Sequence, residues 1–302
     1  MLAAGRVPSA KPATPAWCAA AASLLEATAR KPGNVHPEAS FRDLTHAELC
    51  AAAGAITPAL QQAGRQPLGQ VIHAAVVAAR AVSRSNANLG IVLAVAPLVA
   101  ASQQTDDPLR PATVRGVLAS CTSTDTAAIY AAIQSAGAGG LGTRSEYDLA
   151  TAPPPCIITA MRYAASTPPA DNIAALWGIG YESLWAGPVA DLATLDAAGR
   201  GWEQTIIQAA LAQLARTPDS LIARRHGSET AAAVSARAAA VQALPAAMQP
   251  AGLAAFDRFL RQPHRLNPGT TADLIAAALY IHLWTRTGPA KESPPPCPST
   301  IT

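Results

Sequence analysis

Apolar residues recur at three- and four-residue spacing along most of the chain, and Pro, Gly, Asn and Asp break the recurrence at short intervals. That period belongs to helices that bury one face. The stretch 67–84 shows it plainly, with Leu68, Val71, Ile72, Ala75, Val76 and Ala79 on a single face. The pattern predicts helices over 16–29, 45–64, 67–84, 88–103, 108–120, 123–135, 152–166, 171–187, 198–215, 219–225, 228–244, 250–261 and 270–286. Terminus signals sharpen several of these. Thr45 with Glu48, and Thr270 with Asp273, form capping-box patterns. Thr217-Pro218 offers Pro at a first helical position. Gly227 can end one helix and Ser228 can cap the next. No unit of 20–50 residues repeats.

Composition supports the same picture. Alanine, the strongest helix former, makes up about a quarter of the chain. Aromatics are only 4%, and extended β-branched alternation is scarce, which excludes a sheet-dominated protein. The expected fold is all-α, one compact multi-helix domain over 15–288 between disordered Pro-rich tails at 1–14 and 289–302. A chain of 302 residues buries enough surface to need no disulfide or metal staple.

Five cysteines (18, 50, 121, 156 and 297) include no CxxC pair and suit reduced thiols in the cytoplasm. The longest apolar stretch, Ile91 to Ala101, is too short to span a bilayer. Arg6 and Lys11 before AWCAAAASLL imitate a secretion signal, but Pro8, Pro12, Pro15 and Glu26 argue against one. Net charge is +3 without a basic run of five, so nucleic acid is not an expected partner. Lysine occurs only at 11, 31 and 291. The scattered arginines suit a small phosphorylated ligand. Ala-rich helix faces permit a homodimer without demanding one.

Charged residues are only 14%, so polar clusters at helix junctions are informative. The first is Glu26 with Lys31-Pro32-Gly33-Asn34-Val35-His36, followed by Asp43. An ammonium at Lys31 can bind phosphate as a point charge. Glu26 and Asp43 are oxygen donors of the kind Mg²⁺ takes alongside substrate phosphates, although a surface helix residue and a solvated residue before a cap would look the same. In the second, Ser83 to Gly90, Asn86 and Asn88 flank a junction, and Asn88 also reads as an N-cap. The third runs from Ser135 to Asp148. Its Gly137 to Gly142 fits GxGxxG literally, but a helix precedes it where a dinucleotide site needs a strand. Glu146 and Asp148 beside Arg144 read equally as metal ligands or solvated groups. The fourth, Asp219 to Gly227, crowds Arg224, Arg225 and His226 at a helix C-terminus, as an anion clamp or as cations complementing the helix dipole. The fifth, Asn267 to Asp273, is a turn of small residues opening a helix, a ready phosphate site in which Asp273 also reads as a cap. No HExxH, GxSxG, Walker lysine loop or Cys/His ligand set occurs.

Together, EATARKPGNVH (26–36), SNANLGIVLAVAPL (85–98), the GGLG segment followed by Glu146 and Asp148, TPDSLIARRHG (217–227) and NPGTTADL (267–274) resemble the triphosphoribosyl-dephospho-CoA synthase family. That family acts with citrate lyase and malonate decarboxylase. The resemblance runs from about Trp17 to Trp284. It implies an all-α transferase in which the 2′-hydroxyl of 3′-dephospho-CoA attacks the ribose C1′ of ATP and adenine leaves. The product is the precursor of an acyl-carrier prosthetic group. It further implies Mg²⁺ with the ATP substrate. Lys31, Arg224 and Arg225, with His226, Asp273 and Gly90, are assigned to phosphate or substrate, and Asn34, Asn86 and Asn88 to substrate orientation. Glu26, Asp43 and Glu146 are the expected catalytic carboxylates, and Asp43, Glu146 and Asp148 the expected metal ligands.

Members that work with citrate lyase carry an Asn-Thr-His-Lys-Gly type sequence where this chain has Asn86-Ala87-Asn88-Leu89-Gly90. The chain is closer to a divergent branch with Asn-x-Asn-Leu-Gly. Two alternatives therefore stand beside the leading reading: a Mg-dependent enzyme of the same fold with another ribosyl acceptor in another cofactor pathway, and a non-catalytic nucleotide-binding protein.

Overall fold

A computed structural model describes residues 13–85, 87–104, 109–137 and 144–287. Both predicted tails fall almost wholly outside these residues, as do Asn86 and residues 138–143 of the glycine-rich segment. Within them the chain is helical and contains no strand, only isolated bridges in turns. No helix among the described residues is long and apolar enough to cross a membrane.

Two helices make the centre. α5 (Leu89–Gln104) is buried almost continuously from Leu89 to Ser102, and α16 (Gly269–Thr287) from Thr270 to Ile281 with Asp273 the exception. Helices without a polar stripe must be covered on all sides. Direct covering comes from α1 (Pro15–Thr28), α4 (Leu68–Val82), α6 (Pro111–Ala119) and α9 (Asn172–Gly178), against which α2 (His46–Ala55), α3 (Thr57–Leu60), α7 (Ser123–Ala136) and α8 (Ile157–Ser166) pack in turn. α10 (Glu182–Leu184) and α11 (Ala190–Ala197) follow, joined by a π-helical turn at Trp185–Val189. α12 (Trp202–Arg216), α13 (Ser220–His226), α14 (Ser228–Gln242) and α15 (Gln249–Arg261) complete the order. A second apolar cluster, centred on Leu214, Ile222, Val234, Phe256 and Leu260, joins α12 to α15.

Pro97 sits inside α5. Having no N–H, it leaves the carbonyl of Leu93 without its helical donor. Trp177 Nε1 donates to that carbonyl at 2.9 Å, and the Tyr181 hydroxyl donates to the next one, Ala94, at 2.9 Å. The proline thus costs no unsatisfied buried group, and it fixes the α9 end against α5. On the other side, the buried Tyr280 hydroxyl donates to Ser102 Oγ at 2.7 Å and ties α16 to α5.

Several predicted boundaries move. The helix expected at 45–64 ends at Ala55 and restarts at Thr57, because Pro58 has no N–H for the carbonyl of Gly54. The one expected from 152 begins at Ile157, after Pro153 to Pro155. The one expected over 171–187 stops at Gly178, turns through Gly180 at φ 138°, and resumes as α10, the π turn and α11, the last outside the predicted set. The Thr45–Glu48 capping box forms, and Gly227 ends α13 at φ 91°. Three cap expectations fail. Ser228 is the first residue inside α14, with Gly227 at the N-cap and no side-chain cap bond. Asp219, not Thr217-Pro218, opens α13. Thr270 lies inside α16, whose Asp273 faces a cleft instead of capping.

Candidate active site

The cleft, of about 300 Å³, opens where the first turns of α5, α13 and α16 meet the 30–44 segment, with α7, α8 and α9 behind. One wall is apolar, made by Leu93, Tyr130, Ile133, Ile157, Met161 and Ile173. The facing wall carries Glu26, Asp43, Asp171 and Asp273 among Arg224, Arg225 and Arg265. Asn34, Asn88, Gly90 and Asp148 also line it.

Two tight turns build the polar wall. In the first, Gly33 takes φ 76°, and a Cβ there would press on Leu260 and Pro268, so both conformation and space require glycine. Its N–H donates to Asp257 Oδ1 at 2.8 Å, and Asp257 is gripped in turn by Arg261 Nε. Arg261 also donates to the Asn34 carbonyl at 2.7 Å. Asn34 Nδ2 then reaches the second turn, donating to Asn267 Oδ1 at 2.9 Å and to the Pro268 carbonyl at 3.2 Å. The sequence segments at 31–36 and 267–273 are thereby fastened to one another.

Lys31 does not meet the phosphate expectation. It is 1% exposed, and its Nζ lies 2.9 Å from Glu26 Oε1. It also donates to the carbonyls of Glu26 and Ala29. All three of its protons face protein acceptors, and the side chain does not line the cleft. Its work is to hold Glu26, which does line it.

Asp219 is fully buried and likewise supports the cleft from behind. Oδ1 accepts from the N–H groups of Leu221 and Ile222, which caps α13. Oδ2 accepts from the N–H and hydroxyl of Thr271. Burial raises its proton affinity against the effect of those bonds. Asp171 caps α9 through the N–H groups of Ile173 and Ala174, both at 2.9 Å, and receives Arg224 Nη1. Arg224 Nε, buried, has no acceptor among the described residues. Arg265 pairs with Asp43, which holds that carboxyl below its ordinary range. Its guanidinium stacks over Phe41 at 3.9 Å, and its buried Nε also lacks an acceptor among the described residues. Asn88, at φ 65°, gives its carbonyl to the first turn of α5, and its buried Nδ2 has no partner among the described residues. Gly90 stands where α5 begins, and a Cβ on it would fall on the carboxyl of Asp273.

The expected metal set does not assemble. Glu146 is exposed and does not line the cleft. Asp148 is spent on the N–H groups of Arg144 and Ala150 at 2.6 and 2.8 Å, which lower its proton affinity. Asp43 is spent on Arg265. Among the described residues no group of three or more His, Cys, Asp or Glu is placed to hold a metal ion. His226 is exposed at the end of α13, off the cleft. Asn86 lies outside the described residues.

Arg144, Asp171, Arg265 and Asn267 join the site without having been singled out as site residues. Arg144 donates to the carbonyls of Thr167, Pro168 and Pro169 and so anchors the 144–149 wall. Asn267 begins the NPGTTADL segment and Arg265 stands two residues before it.

The fold and its cleft are those of an all-α enzyme. The chain belongs to the CitG family, ATP:dephospho-CoA triphosphoribosyl transferase, whose profile matches residues 12–291. It is a transferase that moves the triphosphoribosyl group of ATP to 3′-dephospho-CoA. The fold is similar to that of a solved protein from Archaeoglobus fulgidus described as a "putative triphosphoribosyl-dephospho-coA synthase", with a TM-score of 0.59 at 19% identity over 77% of this chain and 97% of that one. No curated protein matches the chain.

Proposed function

We propose that this one cleft takes both substrates and carries the ribosyl transfer. The observation that bears most weight is the pair of guanidinium groups, Arg224 and Arg265, that line the cleft, each with a buried Nε that has no acceptor among the described residues. An orphaned buried donor is costly and calls for an acceptor, and a guanidinium matches phosphate oxygens. Arg225, on the same wall, adds a third cation. These groups hold the triphosphate. The apolar wall behind takes the flat purine or the acceptor's aliphatic arm. Asn88 Nδ2, unpartnered, orients the sugar.

The reaction separates charge at C1′ of the ribose. As the bond to adenine stretches, the sugar becomes oxocarbenium-like. Glu26, ion-paired with buried Lys31, presents a fixed carboxylate on the cleft wall and stabilises that charge without reorganising. The 2′-hydroxyl of the acceptor then bonds to C1′. Mg²⁺ carried in with ATP would shield the phosphate charge, and among the described residues no carboxylate set is placed to hold it from the protein side. Residues 15–288 act as one catalytic domain. A cytoplasmic setting is part of this reading, supported by the free thiols at Cys18, Cys50, Cys121 and Cys156.

The test is to incubate the purified protein with ATP and Mg²⁺, with and without 3′-dephospho-CoA, and to quantify free adenine by chromatography. Adenine appearing only with dephospho-CoA is the expected result. No adenine from folded, ATP-binding protein would remove that acceptor.

A further inference from the structure

We propose that Asp273 is the acid that protonates adenine as it leaves, and that Gly90 is glycine to give this carboxyl its place. The proposal rests on the transferase reading above and adds the residue that completes it.

The first argument is elimination within the cleft. Each other carboxylate on its wall is already committed: Glu26 to Lys31, Asp43 to Arg265, Asp148 to two backbone N–H groups, and Asp171 to Arg224 and the start of α9. Asp273 has no hydrogen bond to any described residue. It is the one position of α16 between Thr270 and Ile281 that is not fully buried, and it opens onto the cleft.

The second argument is steric. α5 passes so close that a Cβ on Gly90 would overlap the Asp273 carboxyl. Glycine at the start of a buried, apolar helix is costly in propensity, and here it leaves a space shaped to one functional group.

The third is electrostatic. The groups facing Asp273 are Glu26 from α1, Asp219 and Asp171 from the caps of α13 and α9, and Arg224 from α13. Three carboxyls oppose one guanidinium, and that guanidinium is already bound to Asp171. Burial first, and then these three neighbours, keep the proton on Asp273 well above the usual carboxylate range. An acid that holds its proton above the usual carboxylate range can donate it during the reaction.

The step balances. The C1′–N9 bond breaks and its electron pair goes to the purine. The Asp273 proton goes to a ring nitrogen of that purine, so neutral adenine departs. The acceptor's 2′-oxygen bonds to C1′, and its proton is released to solvent. Exchange through solvent returns that proton to Asp273. Overall, the hydroxyl proton ends on adenine.

The experiment compares wild type with Asp273→Asn on ATP and on N7-methyl-ATP, whose base already carries a positive charge and departs neutral without a proton. Loss of an acid costs roughly 10²–10⁴-fold. The expected result is such a loss for Asp273→Asn on ATP, with most of the wild-type rate retained on N7-methyl-ATP. The basic limb of the wild-type pH profile on ATP should vanish on the methylated substrate. Equal losses on both substrates, or full activity on ATP, would overturn the assignment while leaving the transferase reading intact. Absence of adenine release from wild type on both substrates would overturn both.

Discussion

Asp219 and Thr271 join the start of α13 to the start of α16: Asp219 Oδ2 accepts the Thr271 N–H at 2.7 Å and its hydroxyl at 2.8 Å. The other oxygen of the same carboxylate caps α13. One fully buried side chain therefore sets the spacing between the helix that carries Arg224 and the helix that carries Asp273. Asp219→Ala removes a cap, at about 1 kcal/mol, and strands two buried donors of Thr271, at about 1–3 kcal/mol in all. The expected loss is about 3 kcal/mol, read as a fall of several degrees in the midpoint of thermal unfolding followed by circular dichroism. An unchanged midpoint would show that α13 and α16 are held by packing alone.

Lys31 separates two roles that the sequence leaves open. As a mobile phosphate ligand it would be dispensable for folding, and its loss would raise KM for ATP. As the buried partner of Glu26 it is structural. Removing one member of a buried pair costs about 3–5 kcal/mol, so Lys31→Met should destabilise the protein by that order. The double variant Glu26→Gln/Lys31→Met should recover most of the stability, because neither side chain is then charged, and should remain inactive. A stable Lys31→Met protein with only a raised KM would restore the phosphate role.

The helices were legible because burial on a helix leaves a period in the sequence. In α4 the six residues expected on one face are all buried. The break at Gly178 to Gly180 and the helix after Pro188 were not, because the apolar pattern runs on through 171–187 and Pro188 reads as a terminator, while the structure absorbs Pro188 in a π turn. The site was legible as segments but not as contacts. Asn34, Asn88, Arg224, Arg225 and Asp273 do converge on one cleft. That Lys31 turns inward depends on the chain reversing after α1 to bring residues 26 and 31 together, and no spacing rule carries that. Glu146 and Asp148 sit two residues apart but differ in fate, since backbone N–H groups capture Asp148 and leave Glu146 in solvent. Arg265 was missed because a lone arginine in a loop has no pattern, although the stack on Phe41 and the pair with Asp43 make it a fixed part of the wall.

Gly90→Ala pits helix propensity against the cleft. Alanine favours a helix over glycine by about 1 kcal/mol, so the fold should be kept or slightly strengthened. The added methyl displaces the Asp273 carboxyl, and a misplacement of about 1 Å can cost on the order of 100-fold in rate. The expected outcome is a drop in kcat of that order with an unchanged or higher unfolding midpoint. Wild-type kcat in this variant would show that the carboxyl has other room.

Asp273 should also reveal itself in stability, independently of turnover. Its proton is held more tightly in the folded chain than in the unfolded one. The stability linked to that proton is complete below the ordinary carboxylate range and is lost as pH rises through the raised folded value. Asn at this position cannot ionise, so Asp273→Asn should escape the loss. The difference in unfolding free energy between variant and wild type should be small near pH 4. It should then grow in favour of the variant by about 1.4 kcal/mol per pH unit and level off once the folded carboxyl ionises. Unfolding followed by calorimetry at intervals from pH 4 to pH 8 reads this directly. A difference that stays flat across the range would mean that Asp273 ionises as easily in the fold as in water, and it would then arrive at the cleft without a proton to give.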